Sequence, residues 1–127
     1  RRAAAAIAGA IAQTPAYADL PRGRFATQSA GRVTLDSPTR ITLQRRCAVT
    51  LPEVTTESFS TTRIDAAAPG GNAIFGSGTR GIALLGTDYG GEPASNLAGF
   101  LAEATGLDVV QYAVPDGGAY AAISSYL

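Results

Sequence analysis

The last third of the chain predicts an α/β fold with parallel strands, on two observations. Gly81-Ile82-Ala83-Leu84-Leu85-Gly86-Thr87-Asp88-Tyr89-Gly90 is a short apolar run that stops at a glycine and gives way to a polar turn, and Asp108 to Val114 repeats the pattern before Pro115 to Gly118. Each turn opens onto a helix-like segment, Pro93 to Thr105 and then Ala119 to Leu127. Connections of this β-α-β-α kind are right-handed and parallel, and open parallel sheets hold ligands at the carboxyl ends of their strands. The turns at Gly86 to Gly91 and Pro115 to Gly118 are therefore expected to face one cleft.

The remaining elements follow from spacing. From Arg2 to Gln13 the residues Ala4, Ile7, Ala8 and Ile11 recur at intervals of three and four, one face of a helix that Pro15 ends. Its small alanines suit close packing on a sheet. Beyond the turn formers of Tyr17 to Gly31, Arg32-Val33-Thr34-Leu35 and Arg40-Ile41-Thr42-Leu43-Gln44 alternate in polarity on either side of Asp36-Ser37-Pro38, which reads as two short antiparallel strands. Val54 to Ile64, rich in Thr and Ser, reads as a third, edge-like strand. A β-rich flank or insertion over 24–64 is thus expected beside a βαβα unit over 80–127. Leu97, Phe100, Leu101 and Ala104 share a helical face, Pro93 suits a first turn, and Gly106 stands where a C-terminal cap belongs. Tyr120, Ile123 and Leu127 do the same for the last helix, while Val109, Val110, Tyr112 and Val114 read as a strand buried on both faces.

Composition narrows the function classes. With 127 residues the chain makes one domain or less. Ten basic and ten acidic residues cancel, which argues against a duplex nucleic-acid surface or an anionic lipid surface, both of which need clustered positive charge. Arg40, Arg45 and Arg46 read as a solvated face. No apolar run approaches the roughly 20 residues of a membrane span. The chain lacks Met, His and Trp, and Arg1-Arg2-Ala3-Ala4 enters a helix without a cap, so it is expected to be an internal piece of a longer protein. Cys47 is the lone cysteine; it is expected to be a buried free thiol, or to pair outside this segment, and it has no histidine to activate it.

Three chemistries fit a glycine-bounded strand-turn-helix. A phosphate loop needs Gly-x-x-x-x-Gly-Lys-Ser/Thr, and the chain contains no lysine. A dinucleotide turn needs Gly-x-Gly-x-x-Gly, which Gly86, Gly90 and Gly91 do not supply. An acyl-transfer site needs a nucleophile after the first strand and backbone N–H groups from neighbouring turns to hold the oxyanion.

The third pattern resembles a known family. Gly86-Thr87-Asp88-Tyr89, then Asn96-Leu97-Ala98-Gly99-Phe100-Leu101, then Gly106-Leu107-Asp108-Val109-Val110-Gln111-Tyr112-Ala113-Val114 and Gly117-Gly118 are similar in order and spacing to the alginate O-acetyltransferase (AlgJ/AlgX) family of SGNH-hydrolase-like proteins. The opening Ala-rich helix resembles the one after that family's Asp-x-His-Trp motif, and Ile74-Phe75-Gly76 resembles the segment before its nucleophile strand. The resemblance implies a three-layer α/β/α domain with a parallel sheet and a permuted order in which Asp and His precede Ser. It also implies a periplasmic location, a polysaccharide substrate, exopolysaccharide biosynthesis proteins as partners, and neither cofactor nor metal.

Two departures stand out. The family's Gly-Thr-Ser places its nucleophile where this chain has Asp88, and its Asp-His pair would fall before Arg1. A carboxylate cannot be converted to an alkoxide, and its acetylation gives a labile mixed anhydride. The oxyanion glycine of the second turn aligns with Asp116 or Gly117; a carboxylate at Asp116 repels an oxyanion, although backbone N–H groups there can still donate. Thr87 and Tyr89 flank the nucleophile position, Thr87 holding the turn and Tyr89 suited to stacking on a sugar ring or to packing. Thr87 and Ser95 are the substitute hydroxyls, Ser95 being better placed for capping or packing, and Asn96 is expected to support the turn through backbone hydrogen bonds. Two readings stay open: an O-acetyltransferase or acetylesterase domain, and a catalytically dead polysaccharide-binding or scaffold module. Asp88, Glu92 and Asp116 also form a conceivable cation trio, against which stands their reading as solvated loop acids.

Overall fold

The computed structural model describes residues 1–35, 38–65, 81–86, 92–112 and 118–127. Helix α1 spans Arg2–Ala12 and is followed by a 3-10 turn at Pro15–Tyr17. Strand β1 (Phe25–Thr34), helix α2 (Pro38–Cys47) and strand β2 (Thr55–Arg63) come next. Strand β3 (Ile82–Leu84), a 3-10 turn at Pro93–Ser95, helix α3 (Leu97–Thr105), strand β4 (Val109–Gln111) and helix α4 (Gly118–Tyr126) complete the order.

Among the described residues the strands form two sheets, each of two strands. β1 and β2 pair antiparallel from Phe25↔Arg63 to Thr34↔Thr55, with a bulge between Ser29 and Gly31. Gly31 takes φ +97° there, a conformation closed to most side chains. Phe25, Ala26 and Thr27 are half-buried, and from Gln28 through the bulge to Thr34 β1 is exposed, so the far end of this ribbon projects from the core. β3 and β4 pair parallel, Ile82↔Val109 to Leu84↔Gln111. The parallel order expected from the sequence is therefore present, but among the described residues the three-layer arrangement is not: the sheets are small and the architecture is mixed α/β.

Several sequence expectations need correction. Arg40 to Gln44 is helical, not a strand. Ile41 and Leu43 alternate with polar residues, yet both are exposed. Arg45 and Arg46 in the last turn suit the negative end of a helix. Cys47, at the end of α2, is an exposed free thiol. Helix α1 packs on helix α3 rather than on a sheet. Among the described residues of α4 Ala122 is buried, whereas Tyr120 and Ile123, like Leu127 after the helix, are exposed; Val110 of β4 is 41% exposed, so that strand is not covered on both faces.

The core lies between α1, α3 and the parallel pair: Ala4, Ile82, Phe100, Leu101 and Leu107, with Ala8, Ile11, Tyr17, Leu20, Phe59, Leu97 and Val109 packed around them. Leu101 and Leu107 are fully buried. On α3 the buried face is turned slightly from the expected one, taking in Ala102 and Thr105 and leaving Ala104 exposed. Gly106 caps this helix as expected, at φ +70°, its N–H donating to Ala102 O at 2.8 Å. Arg22 donates to Thr105 O, and Gly23 N–H to Gly106 O at 2.6 Å, so the segment before β1 is bonded to the carboxyl end of α3 and its cap.

Candidate functional site

The residues expected from the sequence to form the site follow β3 and β4 in the chain. Ile82 N–H donates to Asp108 O at 2.8 Å at the start of the ladder, and Tyr112 N–H donates to Leu84 O at 2.9 Å at its end. The two chains are thus bonded along the whole short ladder and leave it from the same edge. Beyond that edge Tyr112 is half-buried, and its ring meets Tyr126 of α4 edge-on at 5.2 Å. Thr87, Asp88, Tyr89, Asp116 and Gly117 lie outside the described residues.

The opposite edge is fixed by Arg63. Its Nε donates to Asp65 at 2.8 Å, its Nη1 donates to both carboxylate oxygens of Asp108 at 3.0 and 2.9 Å, and its guanidinium covers the Phe25 ring at 5.6 Å. The hydrogen bond from Arg63 holds the Asp65 carboxyl below its ordinary range, and the same bond raises the Arg63 guanidinium. Asp108 immediately precedes β4, so Arg63 ties β2 to the amino end of the parallel pair. Gly81 lies against the same point: a Cβ there would sit 2.5 Å from Asp108 O.

A second polar cluster joins the β1–β2 ribbon to the start of α3. Asn96 donates from Nδ2 to Thr61 Oγ1 at 2.9 Å, and Thr61 shares a 2.7 Å hydroxyl hydrogen bond with Thr27. Asn96 is the N-cap residue of α3 but makes no side-chain cap bond; residues 87–91 of the turn it is expected to support lie outside the described residues. Ser95 is exposed, with its N–H bonded to Glu92 O at 2.9 Å. Glu92 is exposed as well and accepts from Ala94 N–H at 3.4 Å. Of the cation trio only Glu92 is described; among the described residues no cluster of three His, Cys, Asp or Glu side chains is arranged to hold a metal.

Sequence reasoning missed Thr61, Arg63 and Asp108 as members of this framework. A weak signal existed: Phe59, Thr61 and Arg63 fall on one face of a strand with a repeat of two, and all three are half-buried. Their partners, 35 and 45 residues away, carry no local signature.

Comparison with known proteins fits this geometry. The family described as SGNH hydrolase-like domain, acetyltransferase AlgX, matches residues 1–127. The chain belongs to the AlgX family. Alginate biosynthesis protein AlgX of Pseudomonas putida is 32% identical over 127 residues, covering 99% of this chain and 26% of that protein. AlgX of Pseudomonas aeruginosa is 30% identical over 128 residues, covering 100% and 26%. The chain thus spans about a quarter of the length of the curated relatives it matches. The solved structure of Pseudomonas aeruginosa AlgX aligns with a TM-score of 0.71 at 26% identity, over 92% of this chain and 25% of that one. The O-acetyltransferase domain of Pseudomonas putida AlgJ aligns with a TM-score of 0.68 at 20% identity, over 98% and 40%, a likeness of fold. The mixed α/β arrangement of this AlgX-family chain is accordingly that of the SGNH-like domain of AlgX. Among the described residues no helix is long and apolar enough to cross a membrane.

Proposed function

We propose that this AlgX-family chain is part of one SGNH-like domain of an exopolysaccharide O-acetyltransferase of alginate type, which transfers or hydrolyses acetyl esters on polysaccharide hydroxyls. The parallel pairing of Ile82–Leu84 with Val109–Gln111 carries this reading, because acyl-transfer sites of open parallel sheets gather at the carboxyl ends of adjacent strands. In this reading residues 1–127 contribute to a three-layer α/β/α domain, with 80–127 as the nucleophile-strand unit and 24–64 as a flank or insertion. The protein works in the periplasm, beside other exopolysaccharide biosynthesis proteins.

Asp88 takes the nucleophile position, with Thr87 and Tyr89 beside it and backbone N–H groups at Asp116 and Gly117 available to an oxyanion. The carboxylate of Asp88 attacks the acetyl carbonyl, the ester C–O bond breaks, and the departing alkoxide takes a proton from water. A sugar hydroxyl or water then attacks the acetyl carbon of the mixed anhydride, gives its proton to solvent and returns the carboxylate.

The same Asp88 favours a second reading, a polysaccharide-binding or scaffold module without catalysis, since replacing one triad member costs several orders of magnitude in rate. One assay separates the two. Release of acetate from a chromogenic acetyl ester by the protein carrying this chain, abolished in Asp88→Ala, supports the transferase. An inert parent that gains activity on Asp88→Ser supports the binding module.

A further inference from the structure

Asn96 is built in an unusual way for the residue that opens a helix. An N-cap normally has extended backbone and turns its side chain onto the first N–H groups of its own helix. Asn96 instead has left-handed backbone, φ 45° and ψ 37°, and leaves those groups without a side-chain cap. Its amide donates 2.9 Å across the fold to Thr61 Oγ1 on β2, which shares its own hydroxyl hydrogen bond with Thr27 on β1. Gly99, in the first turn of α3, leaves no room for a Cβ beside Thr61 Oγ1 and the Asn96 side chain, so the side-chain contact fills this gap between strand and helix. Phe59 and Phe100 pack beside this contact with ring centroids 5.2 Å apart. A non-glycine residue in a sparsely populated conformation persists where surrounding contacts over-determine it.

We propose that Asn96 is a positioning residue: held by Thr61 in a left-handed conformation, it fixes where the chain enters α3 and so makes the β1–β2 ribbon part of the frame of the β3–α3 connection. The inference rests on the reading of that connection as the acyl-transfer turn, but its structural half stands without it. A local cap stabilises α3 alone; a tertiary tether couples α3 to a strand 35 residues earlier.

The tether is tested in the protein carrying this chain with Asn96→Ala, Thr61→Val and Thr61→Ser, followed by amide hydrogen exchange at Leu84 to Gly86 and Ala94 to Ala98. About tenfold faster exchange there in Asn96→Ala and Thr61→Val, with Thr61→Ser close to the parent and the ribbon amides of 55–63 unchanged, is the expected result. Equal exchange in all four proteins, or uniform acceleration everywhere, overturns the proposal. Should Asn96→Ala fail to fold, the Thr61→Val and Thr61→Ser pair decides alone. Where the parent cleaves acetyl esters, kcat falls about tenfold in Thr61→Val with KM unchanged and is restored in Thr61→Ser; a rise in KM alone contradicts positioning. A parent without activity sinks the acyl-transfer reading and leaves the exchange result to decide the tether.

Discussion

Leu84 and Gln111 are register partners at the end of a parallel pair, and the N–H of Tyr112 closes that end on the Leu84 carbonyl at 2.9 Å. Two strand ends this close, about 4.8 Å apart in a paired ladder, send their following segments out from one edge. The other edge is set by Asp108 and Arg63, which fasten the pair to β2. The parallel unit is therefore held at both ends, by backbone at one and by a charged side chain at the other.

The small core makes single deletions costly. Leu101 is 1% exposed and packs with Phe100, Ala4 and Leu107. Leu101→Ala is expected to destabilise the fold by about 2–5 kcal/mol, read from the shift of the urea midpoint. Val110→Thr, on a strand expected from sequence to be enclosed but open on one side, stays within about 0.5 kcal/mol of the parent.

Legibility followed the range of the signals. The order β3, α3, β4, α4 was readable because each element carries its own punctuation, above all the Gly106 cap and the glycines around Ile82–Leu84. Helix α2 was misread because Ile41 and Leu43 alternate like strand residues, and none of its described side chains is buried to impose a helical repeat. Cys47 and Tyr120 are exposed although their chemistry favours the interior, and residue type alone does not reveal that. The bonds of Asn96 to Thr61 and of Arg63 to Asp108 join residues far apart in the chain, which no local pattern announces.

Acid sensitivity follows from the direction in which Asp65 is displaced. Its carboxyl is held below the ordinary value, about 3.9, first by the hydrogen bond from Arg63. Its contribution is complete above that value and is lost as pH falls through the lower, folded-state value. Urea midpoints measured from about pH 5 downward should therefore fall more steeply in the parent than in Asp65→Asn; parallel curves would show that the pair adds nothing to folding.

Gly106 holds the left-handed cap between α3 and β4, and a Cβ there would sit 3.0 Å from Gly23 O. Gly106→Ala is expected to cost about 1–2 kcal/mol in thermal unfolding, with Gly106→Asn milder because Asn tolerates this conformation. Equal melting of all three proteins would mean that the cap relaxes without strain.

The most direct test of the proposed shared cleft places thiols at its two sides. In a Cys47→Ser background, Asp88→Cys and Asp116→Cys are introduced together and treated with a short bifunctional thiol reagent, and linked chains are quantified by mass spectrometry. Rapid linkage in the native protein that disappears in urea is expected of turns that leave neighbouring strand ends. Thiols that react singly and never link in the native state would contradict it, and the acetyl-transfer reading of residue 88 would go with it.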